Sequence, residues 1–179
     1  MESREYRLKN GLVLLLREAV VADAQQLIDF SEVTSGESDN LSFGPGEFGI
    51  TLAQEEESIL RDQRAGNCFR VVGCINNEIA AQLSFRGGKR SRDRHRGEFG
   101  ISVKKDYWNL GIGGLLLDAL IEWAKSSGVV TKINLRVRSD NQLAIALYLK
   151  KGFIKEGTIR KDMRIDGKYF DCDCMGLDV

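Results

Sequence analysis

Between residues 108 and 117 the chain reads Trp108-Asn109-Leu110-Gly111-Ile112-Gly113-Gly114-Leu115-Leu116-Leu117, directly after an apolar stretch that starts at Glu98-Phe99-Gly100-Ile101-Ser102-Val103. The pattern predicts a strand, a glycine-rich turn and the first turn of an apolar helix. Glycines carry no Cβ, so the backbone there can approach a bound group closely. A helix start also aims unpaired N–H groups and a positive dipole end at that group. Together these hold a phosphate or pyrophosphate with backbone donors alone. The spacing therefore points to a phosphorylated cofactor.

Two common nucleotide binders do not fit. The dinucleotide fingerprint needs a third glycine where Leu116 stands, and an acid about twenty residues on, where Lys132 and Ile133 lie. Gly87-Gly88-Lys89-Arg90 shares a glycine–lysine pair with the P-loop but lacks its upstream glycine and the hydroxyl residue after the lysine. A second segment carries more: Asn141, Ala144, Ile145 and Tyr148 fall at i, i+3, i+4 and i+7, one face of a helix.

Elements follow from the same reading. Strands are expected over 12–17, 68–75, 79–86, 97–103, 133–137, 153–160 and 168–177, and helices over 22–33, 51–64, 113–126 and 142–151. Asn76-Asn77 and Asp166-Gly167 mark hairpin turns. Thr51-Leu52-Ala53-Gln54 is a capping-box sequence, and 35–49 is a polar, glycine-rich loop. The order β-α-α-β-β-β-α-β-α-β-β predicts an α/β (α+β) domain: one mixed, mostly antiparallel twisted sheet flanked by helices, with 1–179 as a single domain.

The two segments resemble the GCN5-related N-acetyltransferase (GNAT) superfamily. Trp108-Asn109-Leu110-Gly111-Ile112-Gly113 is similar to its Arg/Gln-x-x-Gly-x-Gly/Ala cofactor motif, with Trp108 replacing the first polar residue as in the ribosomal-protein and spermidine acetyltransferase branch. The run from Asn141 to Phe153 is similar to the family's Asn-x-x-Ala-x-x-x-Tyr-x-x-x-Gly-Phe. The resemblance implies a single GNAT fold that moves the acetyl group of acetyl-CoA directly to a primary amine of a small molecule or a protein N-terminus. It implies backbone contacts to the cofactor from Ile101, Ser102, Val103, Trp108, Asn109, Leu110, Gly111, Ile112, Gly113 and Gly114, and side-chain contacts from Asn141, Ala144 and Tyr148. Tyr148 is the expected proton donor to the leaving thiolate and Glu98 the expected base, a water chain being its rival. The family often forms homodimers. The alternative reading is a module that binds CoA as a sensor or scaffold without catalysis.

Composition narrows the remaining classes. Lys+Arg and Asp+Glu are both 26, so global charge argues for neither nucleic acid nor an anionic membrane as partner; nucleic acid and membrane are not expected partners. The run Leu12-Val13-Leu14-Leu15-Leu16 is too short to span a bilayer, and the charged start lacks a signal peptide's apolar core, so the cytoplasm is expected. Four cysteines and a single histidine, His95, do not make a metal set, and Cys172-Asp173-Cys174 is expected to place both thiols on one strand face as small apolar residues. Two charged clusters bear on the acceptor. Glu55-Glu56-Glu57 suits either a cationic amine or the helix dipole. Lys89, Arg90, Arg92, Arg94 and Arg96 suit either an acidic protein or ribosomal RNA, or form a solvated hairpin tip.

Overall fold

The computed structural model describes residues 1–179. Eight strands form one sheet: β1 (Arg4–Arg7), β2 (Val13–Glu18), β3 (Cys68–Ile75), β4 (Glu78–Gly87), β5 (Arg96–Val103), β6 (Lys132–Arg138), β7 (Ile154–Ile165) and β8 (Lys168–Asp178). Four helices cover it: α1 (Ala24–Glu37), α2 (Leu52–Arg64), α3 (Ile112–Ser126) and α4 (Gln142–Lys150). The sheet order is β1-β2-β3-β4-β5-β6-β8-β7, antiparallel throughout except for β5 against β6. No helix is long and apolar enough to cross a membrane.

Strand alternation sorts the core. Phe69, Val71, Leu83, Phe85, Phe99, Ile133 and Leu135 face α3 and α4, where Leu116, Leu117 and Leu120 meet them. Val72 and Cys74 face the other way, onto Leu27, Phe30 and Ile59 of α1 and α2. β3 and β4 are therefore buried on both faces, which accounts for their nearly unbroken apolar runs.

The sequence expectations differ from the fold in three places. β1 was not expected: three of its four residues are charged, which suits an edge strand and masks it in a hydrophobicity reading. It pairs with β2, and Arg4 reaches Glu122 on α3 through two hydrogen bonds of 2.6 and 2.7 Å. α1 continues past 33 into the expected loop, and Thr34 and Ser35 are buried there with their hydroxyls donating back to Phe30 O and Glu32 O at 2.9 and 2.7 Å, so these polar groups do not end the helix. β7 extends beyond 160 to Ile165, with irregular pairing against β8 between Ile159 and Met163.

The β4–β5 contact tolerates no side chain at Gly97. A Cβ there would lie 2.3 Å from Arg86 O and 2.5 Å from Phe85 Cζ. Gly97→Ala is expected to destabilise the fold by about 1–3 kcal/mol or more through forced separation of the strands. Urea unfolding measures this, and an unchanged midpoint would refute the packing at this point.

Candidate active site

The site is built on a division in the sheet. β5 and β6 pair through only three positions, Arg96↔Lys132, Gly97↔Ile133 and Glu98↔Asn134. Beyond them β5 follows β4 to Val103, while β6 follows β8 to Arg138. A slit opens between the two strands past Glu98 and Asn134.

Backbone parity decides what faces this slit. Arg96 O accepts from Gly88 N–H at 3.0 Å and Lys104 N–H donates to Ala80 O at 2.9 Å. Hydrogen-bonded positions alternate in an antiparallel ladder, so even-numbered residues of β5 bond β4 and odd-numbered ones turn toward β6. The N–H groups of Ile101 and Val103 thus point into the slit. The carbonyl of Val103 is occupied by the indole N–H of Trp108 at 2.7 Å. Trp108 therefore ties the end of β5 to the following turn.

That turn runs into α3. Asn109 (φ 61°) and Gly111 (φ 85°) both take left-handed backbone, and Gly111 is the N-cap. Gly113 faces α4: a Cβ there would make a tight contact with Leu147 Cδ2 at 3.2 Å. Four donors were expected from this turn. Gly114 N–H is spent on Gly111 O at 3.0 Å, so Gly111, Ile112 and Gly113 carry the N–H groups without a backbone acceptor. Lys151, at the end of α4, lies beside Gly114 and forms an ion pair of 2.5 Å with Asp118. The helix start thus offers backbone donors and a nearby cation, a fit for a phosphate or pyrophosphate.

α4 supplies the other wall. Asn141 caps it, its Oδ1 accepting from Ala144 N–H at 3.2 Å. Ala144 and Leu147 pack against the main core. Tyr148 is 7 % exposed, its ring set edge-on against Phe99 and Phe153 with centroids 5.9 Å away in each case. Burial alone pushes its phenol up to about 12, so it stays protonated at neutral pH.

Glu98 lies on the opposite sheet face from Phe99, and so from Tyr148. The two expected catalytic groups can reach one molecule only through the slit. Glu98 is half-exposed and accepts a hydrogen bond of 2.9 Å from Arg136 Nε, and Arg136 also lies 3.6 Å from Asp162. The side chains around Glu98 line an open cleft of about 360 Å³ with Arg96, Lys132, Asn134, Arg136, Glu156 and Cys174.

Arg136 was missed from sequence. The reading used the apolar alternation Ile133, Leu135, Val137, but the polar alternation Lys132, Asn134, Arg136, Arg138 carried the signal for the other face. The cysteine expectation holds in part. Cys172 is buried, its thiol pushed up to about 11 chiefly by burial, whereas Cys174 is half-buried and lines the cleft. Ser102 shares the face of Glu98. Glu55 is withdrawn from any acceptor role: it is buried against Arg70 at 2.5 Å, in a cluster with Asp62 and Ser58.

A family model described as the acetyltransferase (GNAT) family matches residues 37–153. The chain belongs to this family. A GNAT acetyltransferase from Streptococcus pneumoniae has the same fold with a TM-score of 0.91, 35 % identity, and coverage of 93 % of this chain and 99 % of that one. An acetyltransferase from Salmonella typhimurium, solved with its cofactor acetyl-CoA, superposes with a TM-score of 0.81 at 18 % identity, covering 92 % of this chain and 93 % of that one. An L-amino acid N-acetyltransferase of Escherichia coli is 34 % identical over 102 residues, which are 57 % of this chain and 63 % of the relative. The [ribosomal protein bS18]-alanine N-acetyltransferase of Salmonella typhimurium is 45 % identical over 64 residues, 36 % of this chain and 42 % of the relative. The chain therefore spans less than two thirds of the length of these two curated relatives.

The tyrosine environment has a measurable consequence. The folded-state value of Tyr148 lies above its ordinary value of 10.0, so its neutral form favours the fold fully below pH 10. That contribution is lost as pH rises from 10 through about 12. Wild type is expected to lose stability relative to Tyr148→Phe across this window. A constant difference up to pH 12 would contradict the burial of the hydroxyl.

Proposed function

We propose that this chain transfers the acetyl group of acetyl-CoA to the α-amine of an amino acid or of a protein N-terminus. The observation that carries the reading is the slit: it joins backbone donors and a buried phenol on one side to an open, charged cleft on the other. The Ile101 and Val103 N–H groups suit the amides of an extended cofactor arm and the thioester carbonyl as it gains negative charge. The Gly111, Ile112 and Gly113 N–H groups suit the pyrophosphate. Asn141, Ala144, Asn109 and Leu110 complete the cofactor wall.

In the proposed reaction the neutral amine attacks the thioester carbon, a C–N bond forms and the C–S bond breaks. The leaving thiolate takes the proton of Tyr148. Burial keeps the phenol protonated, so it holds a proton to give the thiolate. The amine's proton leaves toward Glu98 or a water held by it. Because Arg136 already donates to Glu98, an incoming ammonium must compete for the same carboxylate. The names of the two curated relatives, one acting on L-amino acids and one on an alanine of a ribosomal protein, support an α-amine acceptor.

Tyr148→Phe is expected to lower turnover roughly tenfold to a thousandfold with the cofactor's Kd unchanged. Glu98→Gln is expected to lower kcat/KM for the amine. Both are read by amine-dependent thiol release from acetyl-CoA. Unaltered turnover in Tyr148→Phe would remove the proton donor. CoA binding without thiol release for any amine would leave the sensor reading in its place.

A further inference from the structure

The loop between β4 and β5 carries Lys89, Arg90, Arg92 and Arg94, and Arg96 opens β5; all five are exposed. None of the five lies in an ion pair, whereas Arg17, Arg70, Arg86, Arg136 and Arg138 each lie against a carboxylate. The loop's one acid, Asp93, is turned inward and accepts from Arg90 N–H at 2.8 Å. A chain with equal numbers of acids and bases thus carries a cluster of unpaired positive charge on this loop.

The loop is also held in a fixed shape. Asn67 Nδ2 donates to Gly88 O at 2.9 Å and to Arg94 O at 3.0 Å. Arg94 N–H donates to Arg90 O at 2.9 Å, and His95 O accepts from Thr131 N–H at 2.8 Å. A Cβ at Gly88 would stand 2.3 Å from Asp93 Oδ1. All these bonds run through backbone, Asn67 and Asp93, so the basic side chains take no part in them. A backbone held in one shape presents these charges to a partner with little further ordering.

The loop continues into the cleft. Arg96 lines the cleft with Glu98, two residues along the same face of β5. We infer that the 89–96 loop docks an acidic segment of a polypeptide whose amino terminus enters the cleft at Glu98. This rests on the acetyltransferase reading above and narrows its acceptor to a protein. The spacing sets a register. Along a strand of roughly 3.3 Å per residue, Arg96 lies about 7 Å from Glu98, and the rest of the loop lies beyond it. An extended acceptor advances by a similar step, so its acids belong from about the third position onward. Nucleic acid fits less well, because residues 87–96 contain no Phe, Tyr or Trp on which bases could stack.

The test uses two synthetic peptides with the same free amino-terminal alanine, one with Asp and Glu at positions three to six and one with Asn and Gln. Thiol release from acetyl-CoA gives KM and kcat for each. Wild type is expected to show a KM roughly tenfold lower for the acidic peptide, a gap that shrinks as salt rises. Arg90→Gln/Arg92→Gln/Arg94→Gln should erase that gap and leave turnover of the neutral peptide unchanged, with an unaltered Tm. Equal KM values in wild type, or a preference that survives the triple variant, would overturn the inference. If neither peptide is acetylated, fluorescence anisotropy of the labelled peptides still decides the docking. Salt-sensitive binding of the acidic peptide that the triple variant loses supports the loop while the catalytic reading fails. No binding, or displacement of the acidic peptide by an equimolar ten-nucleotide single-stranded RNA, overturns it.

Discussion

The divergence of β5 from β6 is the constraint on which the rest of the structure depends. Each strand is committed to a different neighbour, β5 to β4 along its whole length and β6 to β8, and only three residue pairs join them. Unpaired backbone groups inside a sheet are costly unless something satisfies them. Here the N–H groups of Ile101 and Val103 are left facing a gap, and that gap gives two sheet faces access to one molecule. Tyr148 and Glu98 are on opposite faces, so without the slit no single reaction could use both.

The elements around the slit are rigid for reasons that lie elsewhere in the sequence. Trp108 fastens the end of β5 by its indole N–H, which fixes the turn before Gly111. Gly113 lies close against Leu147 of α4, the helix that bears Tyr148. Phe99 and Phe153 hold the phenol ring from two sides. On the other face, Arg70 and the carboxylates of Glu55 and Asp62 anchor α2 to β3, and Arg86 extends that anchorage toward Glu98. Removing one partner from such a buried set leaves the others uncompensated, which makes the cluster a structural element rather than a substrate contact.

Much of this was legible in the residues. The glycine pair before an apolar run, and the i, i+3, i+4, i+7 spacing of Asn141 to Tyr148, depend on local backbone and helix geometry, which a sequence carries directly. Most strand and helix positions followed from the same local periodicity. What escaped depends on partners far away in the chain. β1 is short and charged and exists because β2 offers it an edge. The engagement of Gly114 N–H follows from how tightly the first helical turn closes. Arg136 matters because β6 sets it beside Glu98, 38 positions earlier, and no local pattern encodes that pairing. The burial of Glu55 likewise needs Arg70 on a different element.

Amide hydrogen exchange, with and without CoA, tests the central claim most directly. If the slit is the cofactor site, the N–H groups of Ile101, Val103, Ile112 and Gly113 exchange readily in the free protein and become protected on binding. Those of Gly100 and Ser102, already bonded to β4, change little. Protection that fell equally on odd and even residues of β5, or that left Ile101 and Val103 untouched while CoA bound, would contradict the account.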